Sequence, residues 1–82
     1  MTREEFLKIP FRWAGHMSMR DEHQSSYKND QYGFIMVVVT RLNRDGMEPG
    51  RSRRWFSYKG KWYGQLTKFL DAIKDVEYAG NV

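Results

Sequence analysis

A run of six apolar residues, from Phe34 to Val39, constrains the fold more than any other feature of the sequence. The run ends in three valines, whose branched side chains favour extended backbone. A strand that is apolar on both faces is typical of the interior of a sheet with a cover on each side. We therefore predict a central strand over residues 32–42, covered by a helix on one face and by the N-terminal helix or a second protomer on the other.

Other segments are less uniform. Residues 11–20 alternate loosely between apolar and polar side chains, which predicts a strand with Gly15 as a bulge. Residues 21–31 are mostly polar and predict a loop or a distorted hairpin. After turn signals at 43–46 and 48–50, residues 51–58 alternate again and predict another strand. The pair Lys59-Gly60 leaves two alternatives open, a two-residue hairpin or the start of a helix.

Both ends of the chain carry helix signals. Thr2 and Glu5 form a capping box and Pro10 ends the segment, so we predict a short helix over residues 3–9. Near the C-terminus, apolar residues recur at the spacing of one helical face: Leu66, Phe69, Leu70, Ile73 and Val76. This spacing predicts an amphipathic helix from Leu66 onward, and residues 79–82 are expected to fray.

The predicted fold is α+β, an antiparallel sheet of three to four strands with a C-terminal amphipathic helix and a short N-terminal helix. Residues 1–82 are expected to form a single domain. A domain of this size buries only about 60% of the surface that its unfolded chain exposes. The chain has no cysteine and so no disulfide, which makes a homodimer the expected way to enlarge its core.

The charge is unevenly distributed along the chain. The net charge is +4, and residues 41–68 carry eight basic and two acidic side chains. Such a basic block favours a polyanionic partner, although a solvated surface has the same composition. No apolar run approaches the roughly 20 residues of a membrane helix, and no signal peptide is visible. We therefore expect no membrane association and a cytoplasmic location.

Little in the sequence favours catalysis. There is no cysteine, the serines lie in no nucleophile-elbow pattern, and no glycine-rich phosphate loop is present. His16 and His23, with Asp21 and Glu22 nearby, come nearest to a metal-binding cluster. Their spacing is not a usual ligand spacing, so we expect surface histidines rather than a metal site. We predict that the protein is not an enzyme and needs no cofactor.

Basic and aromatic side chains are interleaved between residues 51 and 63. This mixture is typical of single-stranded nucleic-acid binding, in which cations contact phosphates and aromatic rings stack on bases. The candidate contact residues are Arg51, Arg53, Arg54, Trp55, Lys59, Lys61 and Trp62. In the alternative interpretation, Phe56, Tyr58 and Trp62 belong to the core and the arginines keep an edge strand soluble.

Several short motifs follow one another between Met17 and Ile73. They are Ser18-Met19-Arg20-Asp21, the apolar strand from Ile35 to Thr40, the turn Gly46-Met47-Glu48-Pro49-Gly50-Arg51, the strand Phe56-Ser57-Tyr58, and Gln65-Leu66. In this order they resemble the positive cofactor four family of single-stranded-DNA-binding transcriptional coactivators. The chain departs from the family in residues 21–31, in its first helix, at Glu48 in place of a basic residue, and at Tyr63 in place of a tryptophan.

The resemblance implies a curved four-stranded sheet, a C-terminal helix at a dimer interface, and a single strand bound across the sheet. It also implies contacts by Arg20, at the end of the first strand, and by Arg51, after the turn. We therefore predict a small module that binds single-stranded DNA or RNA through a basic-aromatic sheet surface, with Trp55 and Trp62 as stacking rings. The alternative is a protein-interaction module of a small bacterial or phage accessory protein.

Overall fold

The computed structural model describes residues 1–42 and 49–80, without the side chains of residues 49–51. The described chain forms two short helices and five strands. In chain order these are α1 (Arg3–Leu7), β1 (Arg12–Ser18), β2 (Glu22–Asn29), β3 (Phe34–Leu42), β4 (Pro49–Tyr58), β5 (Lys61–Tyr63) and α2 (Leu66–Ala72). The predicted α+β class is confirmed, with five strands rather than three to four.

The strands form one antiparallel sheet in the order β1-β2-β3-β4-β5. β3, which contains the apolar run, is the middle strand and pairs with β2 on one side and β4 on the other. This position confirms the predicted central strand. The strand count exceeds by one the four strands that the resemblance implied.

The prediction of a loop over residues 21–31 is wrong, because Glu22–Asn29 form β2. The backbone of β2 pairs with β1 and with β3, so both of its hydrogen-bonding edges are satisfied. Pairing on two sides outweighs the low strand propensity of residues such as Ser25 and Ser26. Short turns connect β2 to β1 and to β3. The Met19 N–H donates to the Glu22 carbonyl at 2.8 Å in the first turn, and the Gly33 N–H donates to the Asn29 carbonyl at 3.0 Å in the second.

Two local features of the sheet follow their sequence signals. The register between β1 and β2 shifts between Trp13 and Gly15, which confirms the predicted bulge. Lys59 and Gly60 both have positive φ, at 51° and 80°, and join Tyr58 to Lys61, its partner in the sheet. Positive φ at both central residues is the conformation of a two-residue hairpin turn, so the hairpin is the correct alternative at this position.

The core is an aromatic cluster between the two helices and one face of the sheet. Phe69 of α2 is fully buried, and its ring centre lies 5.2 Å from that of Phe56, 5.4 Å from Phe6 and 5.5 Å from Phe34. Such aromatic pairs stabilise a core beyond the area they bury. The cluster fixes both helices over the end of the sheet where β3 begins and β4 ends.

The capping box at the start of α1 is confirmed. The Glu5 N–H donates to Thr2 Oγ1 at 3.2 Å, and the Thr2 N–H donates to Glu5 Oε1 at 2.8 Å. The hydrogen bond from the Thr2 backbone lowers the pKa of Glu5 below its ordinary value. α1 ends at Leu7 rather than at the predicted residue 9, although Ile9 is still buried against the core.

α2 is shorter than its apolar spacing predicts and ends at Ala72. Ile73 is fully buried and Val76 packs against the core, but both lie beyond the helix. The ammonium group of Met1 donates to the carbonyls of Ile73, Lys74 and Val76 at 3.1, 3.0 and 2.7 Å. These carbonyls follow the end of a helix, where backbone acceptors need partners from outside it.

Residues 79 and 80 are held in place, contrary to the predicted fraying, whereas residues 81–82 of that prediction lie outside the described residues. The Ala79 N–H donates to the Tyr32 hydroxyl at 2.8 Å, and Gln31 Nε2 donates to the Gly80 carbonyl at 3.2 Å. The turn signal at 43–46 lies outside the described residues, whereas Pro49 and Gly50 of the second signal belong to β4. In residues 1–42 and 49–80, no helix has the length and apolar character to cross a membrane.

Candidate nucleic-acid interface

The two faces of the sheet differ in what covers them. Side chains alternate along β3, so that Phe34 and Met36 point to the helices while Ile35, Val37 and Val39 point the other way. Both helices pack on the first of these faces, through Phe6 and Phe69, so the prediction that the N-terminal helix covers the second face of β3 is wrong. We call the second face, on the side of Ile35, Val37 and Val39, the open face.

The strand register defines which residues share the open face. Residues directly opposite each other in an antiparallel pair point to the same side of the sheet. This gives three rows across the open face: Trp62–Ser57–Ile35–Lys28, Trp55–Val37–Ser26–Gly15 and Arg53–Val39–Gln24–Met17. The face therefore has an aliphatic centre, indole rings and an arginine on the β4–β5 side, and polar residues on β2.

Three of the predicted contact residues lie together on the open face, namely Arg53, Trp55 and Trp62. Strand alternation separates them from Arg54 and Lys61, which are opposite Val38 and Tyr58 and so lie on the helix side of the sheet.

The remaining predicted contact residues are dispersed. Lys59 lies in the β4–β5 turn with Nζ 5.3 Å from the Tyr58 ring centre. Arg20 is in the tight turn between β1 and β2, at the other end of the sheet. The backbone of Arg51 belongs to β4, but its side chain is outside the described part of the structure. Only part of the basic block therefore faces the same way as the two indole rings.

The alternative interpretation of the aromatic residues holds for some of them. Phe56 is buried in the core and Tyr58 packs against it. Trp62, in contrast, is 52% exposed and lies on β5 rather than in a helix. β5 pairs only with Phe56, Ser57 and Tyr58, so β4 is paired with β3 alone at Arg53 and Arg54 and has a free edge there, as the alternative interpretation of the arginines expects.

The Trp55 ring contacts a cation and a glycine. The guanidinium carbon of Arg53 lies 5.0 Å from the centre of the Trp55 ring, which is within the range of a cation–π contact. Gly64 also lies against the ring. If this residue had a β-carbon, the atom would be 3.0 Å from Trp55 Cζ3. The missing side chain at Gly64 therefore lets the indole lie close to the backbone that follows β5.

Trp62 is the most accessible aromatic ring of the open face. It lies opposite Ser57, two residues from Trp55 along β4, so the two tryptophans are diagonal neighbours. Diagonal positions on neighbouring strands are about 7–8 Å apart. The two indoles thus form adjacent parts of one surface, one ring partly buried and one half exposed.

A shallow groove of about 380 Å³ continues the open face beyond Arg53. Its lining residues are Glu22, Val39, Arg41, Ser52 and Arg53. Arg41 was not among the predicted contact residues, although it follows Val39 by two positions in β3 and so points to the same face. Two guanidinium groups and one carboxylate line the groove, which makes it a cationic extension of the surface around Trp55.

The opposite end of the open face carries a neutralised cation. Arg12 Nε and Nη2 donate to the two carboxylate oxygens of Asp30 at 2.7 and 3.0 Å. The hydrogen bonds from Arg12 lower the pKa of Asp30 and the pair raises the pKa of Arg12. Arg12 is therefore already paired with an anion, whereas Arg53 contacts the Trp55 ring and has no ion pair within residues 1–42 and 49–80.

The candidate metal cluster of the sequence divides across the sheet. His16 and His23 lie on the helix side, opposite Ser25 and Ser18, whereas Glu22 lines the groove of the open face. Among the described residues, no group of three or more His, Cys, Asp or Glu side chains is close enough to hold a metal ion.

Comparisons with protein-family models, with curated proteins and with solved structures gave no significant match to this chain.

Proposed function

We propose that the open face binds single-stranded nucleic acid. The observation that carries the proposal is the arrangement of Arg53, Trp55 and Trp62: a guanidinium beside one indole ring, next to a second indole that is 52% exposed. Proteins that bind single strands without strong sequence preference combine cations along the backbone path with aromatic rings under the bases. The same two elements are present here on one uncovered sheet surface.

Each residue has a distinct role in this proposal. Trp62 stacks on one base, and Trp55, which Gly64 and Arg53 hold in place, supports a neighbouring base. Stacking of this kind contributes about 1–3 kcal/mol per base. Arg53 and Arg41 contact phosphates along the groove that continues from Trp55.

Single strands fit this surface better than duplexes do. The bases of a duplex are stacked on each other and offer no free ring face to Trp55 or Trp62, whereas an unpaired base does. Sequence preference is expected to be weak, because every base has a ring face to stack. The preference should therefore be for the unpaired state rather than for particular bases.

The test is a fluorescence-anisotropy titration with a labelled oligonucleotide of about 12 nucleotides, as a single strand and as a duplex. Arg53 and Arg54 provide a matched pair, because they are neighbours of equal charge on opposite faces of β4. We expect Arg53→Gln to weaken single-strand binding several-fold more than Arg54→Gln, and affinity to fall steeply with salt. Absence of binding at low salt, or equal effects of the two substitutions, would contradict the proposal.

A second candidate function is binding of a protein partner at β1. This edge strand carries two of the exposed large apolar side chains, Trp13 at 62% and Met17 at 58% exposure, and Met19, directly after the strand, is 41% exposed. No charged residue lies between Trp13 and Met19, although charges are the usual protection of an edge strand. Strand addition at β1 by a second copy predicts a concentration-dependent mass in sedimentation that Met17→Lys abolishes, whereas a monomer at all concentrations would exclude this form of dimer.

A further inference from the structure

His16 and His23 meet on the helix side of the sheet, beyond the end that the helices cover. They are the two histidines of the chain, and their ring centres are 5.3 Å apart at an interplanar angle of 27°. His16 is opposite Ser25 and Ser18 is opposite His23, so the two rings occupy a diagonal of the β1–β2 hairpin. The tight hairpin thus brings together two imidazoles from different strands.

We propose that His16 and His23 form a two-histidine site for a divalent transition-metal ion such as Zn²⁺. Zn–N bonds are about 2.0–2.1 Å long, so two imidazoles on one tetrahedral zinc ion have ring centres about 5 Å apart. The rings stack at a separation of 5.3 Å, close to the separation in that arrangement, so binding one ion requires rotation of the rings but no movement of the strands. Imidazole nitrogen is a ligand for Zn²⁺, Ni²⁺ and Cu²⁺ and not for hard ions such as Mg²⁺.

The serines of the same hairpin hold the other nitrogen of each ring. Ser25 Oγ lies 3.4 Å from His16 Nδ1, and Ser18 Oγ lies 3.1 Å from His23 Nδ1. With hydrogen on Nδ1, each ring donates to its serine and keeps the Nε2 lone pair for a metal ion. Outer partners of this kind orient the histidines of metal sites and increase their basicity. The pattern His-x-Ser occurs twice, at residues 16–18 and 23–25. Its histidines are the proposed ligands, and its serines are their hydrogen-bond partners.

The residues around His16 and His23 determine how many protein ligands a metal ion would have. Glu22 is on the opposite face, and in the described part of the chain no third ligand side chain completes a cluster. By register, Arg54 on β4 shares this face and lies two strands away from Ser25, about 10 Å from it. The site therefore has two protein ligands with water in the remaining positions, which favours exchangeable rather than permanent binding.

The experiment is a titration of the full chain with Zn²⁺, followed by calorimetry and by NMR of the imidazole resonances. We expect one zinc ion to bind and to shift the signals of both histidines together. His16→Gln and His23→Gln should each weaken binding at least about tenfold, and Ser18→Ala should weaken it by about tenfold. Mg²⁺ should leave the imidazole signals unchanged.

Gln24→Asn provides the matched control, because Gln24 lies in the same strand but faces the other side of the sheet. This substitution should leave zinc affinity unchanged. Movement of only one imidazole signal on addition of Zn²⁺, or wild-type affinity in either histidine variant, would overturn the proposal. Because oligonucleotide binding depends on the open face, its presence or absence has no bearing on this result.

Discussion

Gly64 lies against the indole of Trp55, so closely that a β-carbon at this position would be 3.0 Å from Cζ3 and 3.3 Å from Cη2 of the ring. Real β-carbons rarely approach other atoms so closely. The backbone of Gly64 does not have a positive φ. A glycine is therefore needed here for the space it leaves and not for an unusual backbone conformation. The glycine thus sets the position of a ring that we propose stacks on a base.

The first prediction concerns this contact. Gly64→Ala should displace the Trp55 ring and lower the free energy of unfolding by about 1–3 kcal/mol, the usual cost of overpacking. The new methyl group would meet Cζ3, Cη2 and Cε3 of the indole, and Trp55→Phe removes these outer ring atoms. In a double-mutant cycle measured by urea unfolding, Gly64→Ala should therefore cost less in the Trp55→Phe background than in the wild type. Equal costs in both backgrounds would show that the contact does not constrain the ring.

The second prediction concerns the core. Phe69 is fully buried and contacts the rings of Phe6, Phe34, Phe56 and Tyr63 at centre distances of 5.2–5.8 Å. Phe69→Ala should lower the free energy of unfolding by about 3–5 kcal/mol, a large part of the stability of so small a domain. Leu7→Ala is the control, because Leu7 is 68% exposed, and should change stability by less than about 0.5 kcal/mol. Similar effects in denaturant unfolding would contradict the assignment of the core.

The third prediction concerns pH. Hydrogen bonds from Arg12 lower the pKa of Asp30 below its ordinary value of 3.8. Because the folded-state pKa is the lower one, the ion pair stabilises the fold above the ordinary value, and this contribution is lost as the pH falls through the folded-state pKa. Arg12→Gln should raise the pKa of Asp30 toward its ordinary value, as measured by NMR titration of its carboxyl carbon. An unchanged titration would mean that the ion pair does not form in solution.

The sequence predicts the elements whose signals are local. The valines of β3, the capping box at Thr2 and the bulge at Gly15 each depend on a few adjacent residues, and each is confirmed. β2 was missed because its strand conformation comes from pairing with two neighbours rather than from its own side chains. α2 is shorter than predicted, and the carbonyls of Ile73, Lys74 and Val76 beyond its end bond to the ammonium group of Met1, a contact between distant parts of the chain.

The candidate surface was predictable only in part. Strand alternation alone places Arg53 and Trp55 together and separates Arg54 from them. The position of Trp62 required the choice between a hairpin and a helix, which positive φ at Lys59 and Gly60 decides. The position of Arg41 follows from alternation along β3. The contact of Gly64 with Trp55 and the pairing of His16 with His23 depend instead on how neighbouring strands pair, which the sequence alone does not give.

The central claim is that the open face, rather than exposed aromatic surface in general, binds single-stranded nucleic acid. Trp62 and Trp13 are both exposed tryptophans on edge strands, at 52% and 62%, but Trp13 is opposite Tyr27 and lies on the helix side of the sheet. The most direct measurement compares Trp62→Ala with Trp13→Ala by anisotropy titration of a labelled single strand. We expect Trp62→Ala to weaken binding about fivefold or more, from the loss of one stacked base, and Trp13→Ala to leave it within about twofold of wild type. Equal losses, or a greater loss for Trp13→Ala, would contradict the account.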